Sequence, residues 1–395
     1  MIKYSLPENW VKYNPVVVVK ELAEAKAAVL SLRTIPYQRS WVETLQQIEL
    51  KREVAGTSRI EGAEFTDKEL DVAMKETPEQ LLTRSQRQAH AALQTYRWIS
   101  RVPDDQPINA ELILHTHRMI VTGADDDHCP PGKLRGKDQN VNFGQPRHRG
   151  AEGGEECQKA FSGFVEALQG VYRDHDSVIQ ALAAHYHLAA MHPFLDGNGR
   201  TARALEALLL QRAGLKDTCF IAMSNYYYDE KPAYLATLSE VRVHEHDLTP
   251  FLIFGLRGVA LQSRRLLSEI QGQVSKALFK NMMYDLFNRL RTKRKRIIAM
   301  RQMAILKLLL EVDSLDANQI YEKTEELYKK LKNPVKALSR DLLGLAELRA
   351  VDATKDPRDR YNFRVRLEWP TEITETDFFD RIKKLPKAKT YQFLQ

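Results

Sequence analysis

Apolar positions recur at helical spacing along most of this 395-residue chain. Pro15 stands where a helix can start, VVVVKELAEAKAAVLSL supplies good helix formers, and Pro36 interrupts the run. A second helix is expected over about 37–55, with Gly56 breaking it and SRIEGAEFT making a turn. Thr66, with Glu69 three residues on, opens a capped helix over about 66–76. RSQRQAHAALQTYRWIS is another helix, and VPDDQP closes the region. After Asn109 the helix AELILHTHRMIV begins. The segment from Thr122 to Gly154 then turns rich in Gly, Pro, Asp and Arg, with two short strands expected near LRGKD and NVNFG, as in an irregular hairpin or flap. Helices resume over about 155–173, 176–192 and 199–213, and again to about 290. In the last quarter RQMAILKLLLEV, ANQIYEKTEELYKKL and NPVKALSRDLLGLAELRA read as three helices, and the alternating RYNFRVRLEW follows the turn-rich KDPRD. Three helices and a hairpin are the pattern of a winged helix. The fold class expected is mainly α.

Composition narrows the setting. The length favours two or three domains, and 43% hydrophobic residues are ample for globular cores. The start, MIKYSLPENWVKY, lacks the apolar run of a secretory signal, and VVVV at 16–19 dissolves into KELAEAK, so no membrane partner is expected. Cys129, Cys157 and Cys219 are too scattered for a metal knuckle or a disulfide framework, which favours a reducing, cytoplasmic setting. The net charge is only +7, but RLRTKRKR at 289–296 concentrates it enough to contact nucleic acid or an acidic partner, or to form a solvated helix face.

The densest chemistry lies in HPFLDGNGRTAR, residues 192–203. A Walker loop is excluded because no Lys is followed by Ser or Thr where one is needed. Gly197, Gly199 and Ala202 satisfy a dinucleotide fingerprint, but the lead-in DSVIQALAAHYHLAAMH is helical rather than a strand. His185, His187 and His192 are spaced so that no two easily share a metal on one helix. A helix–loop–helix anion site remains. Pro193 disfavours helical geometry at His192, the glycines free the loop, and a helix starting near Gly199 or Arg200 turns its N–H groups toward a phosphate chain. Asn198 can add an amide donor, while Arg200 and Arg203, three apart, can fork onto successive phosphates. Asp196 supplies the hard oxygen Mg²⁺ requires, and His192 titrates where a general base is useful.

At every specified position this stretch resembles the HPFx(D/E)GNGRxxR motif of Fic domain proteins. The resemblance implies a Fic helical core over 106–260 with a small β-hairpin flap, preceded by an N-terminal helical region (1–105). After the core come a basic connector (261–297), a winged-helix domain (298–370) and a C-terminal tail (371–395). It implies transfer of AMP from ATP–Mg²⁺ to a Ser, Thr or Tyr hydroxyl of a target protein. His192 would be the base and Asp196 the metal ligand, with Gly197, Asn198, Gly199, Arg200 and Arg203 on the phosphates. TSRIEG, Thr57 to Gly62, fits the family's inhibitory (S/T)xxxE(G/N) motif, so Glu61 is expected on Arg203. PPGKLRGKDQNVNFG resembles the flap that clamps the target by strand pairing. SNYYYDEKPAYLATL resembles the segment closing the adenine end, where Tyr226 and Tyr234 could pack on the base. Other readings stay open: transfer or removal of another phosphate-containing group, a homodimer, and a DNA-binding regulator whose helix offers Lys336, Ser339 and Arg340 to bases.

Overall fold

The computed structural model describes residues 1–35, 39–75, 77–144, 146–215, 221–290, 292–357 and 360–383. Cys219 and the end of the expected tail, 384–395, lie outside the described residues. The chain forms two compact units, Met1–Ser268 and Glu269–Gln395.

The first unit is built from α1 (Pro15–Thr34), α2 (Arg39–Ile60), α3 (Asp67–Lys75), α4 (Arg84–Ile99), α5 (Ala110–Val121), α6 (Glu155–Gln169), α7 (Ser177–Met191), α8 (Asn198–Leu210), α9 (Met223–Asp229), α10 (Lys231–Val243) and the start of α11 (Thr249–Asn288). Its helices begin where local chemistry permits. Asn14 caps α1 by accepting from the Val16 and Val17 amides, with Pro15 at the first position, and Thr83 and Gln86 close a capping box on α4. The buried pair α7·α8 lies at the centre, flanked by α5 and α6, while α2 packs on α4 and α9. Nearly every side chain of α7 from Val178 to Met191 is buried, so its hydrophobic residues run all round the helix.

Two helix expectations in this unit are overturned. Gly56 does not end the second helix, which continues to Ile60. A Cβ at Gly56 would lie 2.4 Å from the Ser224 carbonyl carbon, so the glycine lets α2 approach the backbone of α9. The expected helix over 155–173 is split at Gly170 into α6 and a short 3₁₀ turn, Val171–Asp174.

The irregular segment carries β2 (Asn142–Phe143) and β3 (His148–Arg149), paired antiparallel. The chain's own start, β1 (Ile2–Lys3), adds parallel to β3 to give the order β1-β3-β2. No strand forms at LRGKD; the hairpin partner of NVNFG is His148–Arg149 instead. Arg135 explains the difference, because it turns inward and its guanidinium bonds three backbone carbonyls.

The second unit contains the end of α11, then α12 (Lys293–Glu311), β4 (Leu315–Asp316), α13 (Ala317–Thr324), α14 (Pro334–Glu347), β5 (Val351–Lys355), β6 (Tyr361–Val365), α15 (Trp369–Glu372) and α16 (Glu375–Lys383). The sheet order is β4-β6-β5, antiparallel, with Val351 opposite Val365 and Leu315 opposite Phe363. Ile305, Leu309, Ile320, Leu342 and Phe363 fill its core, and Trp369 and Phe378 extend that core beyond residue 370. Asp341 is buried against Arg301 at 2.6 Å and accepts from the Tyr328 hydroxyl at 2.8 Å, so this inner charge is paired.

Candidate active site

The turn between α7 and α8 carries the first half of HPFLDGNGRTAR, residues 192–197. His192 leaves the helix in the left-handed region, with φ 53° and ψ 58°. That conformation is unusual for a residue with a side chain, and three contacts fix it. The His192 carbonyl accepts from Arg135 Nε at 2.8 Å, and its Nδ1 donates to the Ala189 carbonyl at 3.0 Å. Its ring stacks on Phe143 of the flap, centroids 3.8 Å apart and planes 12° from parallel. Committing Nδ1–H to a carbonyl leaves Nε2 as the acceptor. Burial is the main cause that holds the imidazole down to about 4, so the ring is neutral at pH 7.

Arg135 is spent on backbone: Nε on His192, Nη1 on the Gln139 carbonyl at 2.6 Å, and Nη2 on the Ala151 carbonyl at 2.5 Å. His117 holds the other side of the turn. It stacks on Phe194, accepts from the Gly132 amide at 2.9 Å and donates from Nε2 to the Asp196 carbonyl at 3.1 Å.

Gly197, at φ 74°, precedes the first turn of α8, whose open N–H groups and positive dipole end face the loop. Asn198 does not offer its amide outward as expected. Its Oδ1 accepts from the Phe194 amide at 2.8 Å and its Nδ2 donates to the Phe194 carbonyl at 2.9 Å, bracing the loop while almost wholly buried. The two arginines also diverge from the expected fork. Arg200 is 2% exposed and turns to Asp125 at 2.6 Å and Asp196 at 3.3 Å. Only Arg203 turns toward the cleft. Its Nε donates to Thr57 Oγ1 at 2.9 Å, and its Nη2 donates to the Thr57 carbonyl at 3.1 Å and to Glu61 Oε1 at 2.7 Å.

Glu61 therefore meets Arg203 just past the end of α2. Burial works against its charge, yet Arg203 beside it holds the carboxyl below its usual value. Gly199 makes the position available, because a Cβ there would lie 2.2 Å from Glu61 Oε1. A carboxylate thus occupies the helix N-terminus where an anion would bind.

Asp196 lies on the opposite flank, within a charged cluster gathered from distant parts of the chain. Its Oδ2 meets His128 Nε2 at 2.9 Å and Arg84 at 3.5 Å. Burial would raise its pKa, but His128 and Arg200 bring it below the usual value. Asp125, His128 and Asp196 present ligand atoms within 4.8 Å of one another. The oxygens of Asp125 are already taken by Arg84, Arg200 and Gln88, however. A hard cation held jointly with phosphate oxygens therefore fits the partly exposed Asp196 carboxylate rather than the whole trio.

Beside His192 and Arg203 opens a cleft of about 330 Å³, walled on one side by Phe143 and on the other by one face of α10. That face carries Lys231, Leu235, Leu238, Ser239 and Arg242. Arg242 lies 4.5 Å from the Phe143 ring centroid, and Lys231 donates to the Ile60 carbonyl at 2.8 Å. The tyrosines expected on an adenine base are core residues. Tyr226 packs on Phe254 and against Gly258, and Tyr234 is 2% exposed with its hydroxyl 2.9 Å from His185 Nε2. Tyr234 still touches the cleft wall; Tyr226 is not among the residues lining it.

Residues 107–210 match the Fic/DOC family. The chain is 38% identical over 95 residues to the protein adenylyltransferase Fic of Culex quinquefasciatus, a stretch that is 24% of this chain and 17% of that protein. It is 41% identical over 76 residues to the protein of the same name from Drosophila grimshawi, 19% of this chain and 14% of the relative. The chain thus spans less than a fifth of the length of these relatives. Among solved structures, a Fic family protein of Desulfovibrio desulfuricans superposes with a TM-score of 0.56 at 17% identity, covering 92% of this chain and 98% of the other. Fic-1 of C. elegans gives 0.54 at 20% identity, covering 65% and 74%. At such identities these structures speak for the fold. The sequence match over residues 107–210 coincides with the motif turn and the helices around it, in a mainly helical chain whose structural neighbours have the Fic fold.

Proposed function

We propose that this chain transfers AMP from ATP to a hydroxyl side chain of a target protein, and that Glu61 holds the activity down. The observation that carries the reading is His192, its Nδ1 committed to the Ala189 carbonyl and its Nε2 left as acceptor, beside the N-terminus of α8 and the Glu61-bound Arg203. In the reaction the target's hydroxyl oxygen attacks the α-phosphorus while its proton passes to His192 Nε2. The bond from the α-phosphorus to the bridging oxygen breaks and pyrophosphate leaves. General-base help of this kind is worth roughly 10²–10⁴ in rate. The amides of the first turn of α8 receive phosphate oxygens, and Arg203 takes the outer phosphates. Asp196 would hold Mg²⁺, which neutralises phosphate charge when bound.

Glu61 opposes this twice, by engaging Arg203 and by repelling a phosphate from the turn at Gly199. Among the described residues no helix is long and apolar enough to cross a membrane. The edge strand β2 suits pairing with an extended target segment.

The second unit supports a winged-helix reading, since α12, β4, α13, α14 and the β5–β6 hairpin follow that order. Of the side chains expected to read bases, Lys336 and Arg340 are exposed. Ser339 is buried and bonded to the Val335 carbonyl at 2.9 Å, so it is withdrawn from that role. Gel shifts at two salt concentrations separate a phosphate-contacting surface from a protein-contacting one, because only the former loses affinity steeply with salt.

The deciding test is labelling with α-labelled ATP by the natural protein, Glu61→Gly, His192→Ala, and Glu61→Gly with Arg203→Ala. Loss of a charge-assisted contact worth about 1.5–3 kcal/mol predicts a gain of about ten- to a hundredfold for Glu61→Gly. The lower end is expected, because Glu61 is 35% exposed and partly screened. His192→Ala should not label, and the double variant should lose the gain. Equal labelling by the natural protein and Glu61→Gly would remove the inhibitory assignment.

A further inference from the structure

Behind Arg203 lies a buried polar chain that the proposed reaction does not use. Glu206, 1% exposed on α8, contacts His185 Nδ1 on α7 and accepts from the Tyr227 hydroxyl at 2.9 and 3.0 Å. His185 is fully buried, and its Nε2 lies 2.9 Å from the Tyr234 hydroxyl on α10. Tyr234 in turn lines the same cleft as Arg203, and the guanidinium offsets part of the burial that raises its hydroxyl. The carboxylate sets the direction of the whole chain. Nδ1–H donates to Glu206, Nε2 accepts the Tyr234 O–H, and the Tyr234 oxygen keeps its lone pairs for the guanidinium.

The other partners of Arg203 are of a different kind. Thr57 is in the last turn of α2 and Glu61 lies just beyond it, so one segment supplies all three of those bonds. Whatever withdraws the end of α2 strips them together. The contact through Tyr234 belongs to α10, α7 and α8 and survives that movement.

We propose that Glu206, His185 and Tyr234 form a buried relay that positions the Arg203 guanidinium for the outer phosphates of a nucleotide once the end of α2 no longer holds it. The proposal rests on the nucleotide reading above and adds three positioning residues to it. None of the three touches the reacting atoms. Their role is to fix the orientation of a side chain that a bare cavity would leave free to swing.

The test is calorimetric titration of ATP–Mg²⁺ and of AMP into Glu61→Gly, and into the same protein carrying Tyr234→Phe, Glu206→Leu or Glu206→Gln. AMP has no outer phosphates and serves as the control for general damage, with thermal melts confirming that each variant folds. The relay predicts that Tyr234→Phe and Glu206→Leu weaken ATP about tenfold, the scale of one charge-assisted hydrogen bond, and leave AMP within twofold. Glu206→Gln keeps an acceptor for His185 and should recover most of the loss. Unchanged ATP affinity in Tyr234→Phe and Glu206→Leu, or equal weakening of ATP and AMP, overturns the relay while leaving the nucleotide reading intact. Failure of the parent Glu61→Gly protein to bind ATP overturns both.

Discussion

Replacing Glu53 by Gln should stabilise the first unit, and the gain should grow with pH. Glu53 lies on α2 with 2% of its surface exposed, accepting from the Ser224 amide at 2.8 Å and from the Ser224 hydroxyl. Burial is the largest influence on its carboxyl and lifts it from 4.5 to about 7; Ser224 and Tyr96 offset part of that, while Glu206 adds to it. A carboxyl raised in the folded state keeps its proton after the unfolded chain has released its own. Stability from this group is therefore complete below about 4.5 and is lost as pH rises toward about 7. Each pH unit of that window is worth about 1.4 kcal/mol, so the loss approaches about 3 kcal/mol by pH 8. Glutamine keeps the shape and one acceptor but cannot ionise. The variant should match the natural protein near pH 4.5 and exceed it by about 3 kcal/mol at pH 8, some 6–12 °C in melting temperature for a unit of this size. Melts of both proteins at half-unit steps from pH 4.5 to 8 isolate the effect, because every other titration is shared. A difference that stays flat with pH would refute the raised carboxyl, and a variant that loses stability at high pH would refute the burial argument behind it.

Three further outcomes follow from named contacts. Because burial lowers His192 to about 4, the labelling rate of Glu61→Gly should stay level from pH 6 to 8 and fall only as pH drops toward that value; a half-maximal rate near 6.5 would mean the ring is solvated. Asp196→Ala should weaken Mg²⁺-dependent ATP binding while leaving metal-free binding nearly unchanged, as calorimetry with and without Mg²⁺ would read. Gly56→Ala forces a Cβ to within 2.4 Å of the Ser224 backbone and should cost about 1–3 kcal/mol of stability, measured by denaturant melts; a neutral effect would show that α2 and α9 can separate freely.

What the sequence determined by itself was local. Helix starts follow from a cap and the first few residues, as at Asn14–Pro15, and Pro193 was enough to end α7 at His192. The motif over 192–203 announced a base, a carboxylate and an anion-binding turn, because those residues are close neighbours in the chain. The partners that decide what each does were not legible there. Arg135 holds His192 across 57 residues, Asp125 claims Arg200 across 75, and Thr57 holds Arg203 across 146. Arg200 and Arg203 look equivalent on a helical wheel, yet one is consumed by a buried aspartate and the other faces the cleft. Asn198 looked like a ligand donor and braces its own loop instead, because a buried amide takes the nearest backbone groups that satisfy it. Gly56 shows the same limit from the opposite side. Chain-local propensity marks a glycine as a break, whereas the packing of α9 against α2 requires a helix with no side chain at that point. Propensity and turn chemistry act over a few residues and can be read in order. Burial and ion pairing depend on which distant segments the folded core brings together.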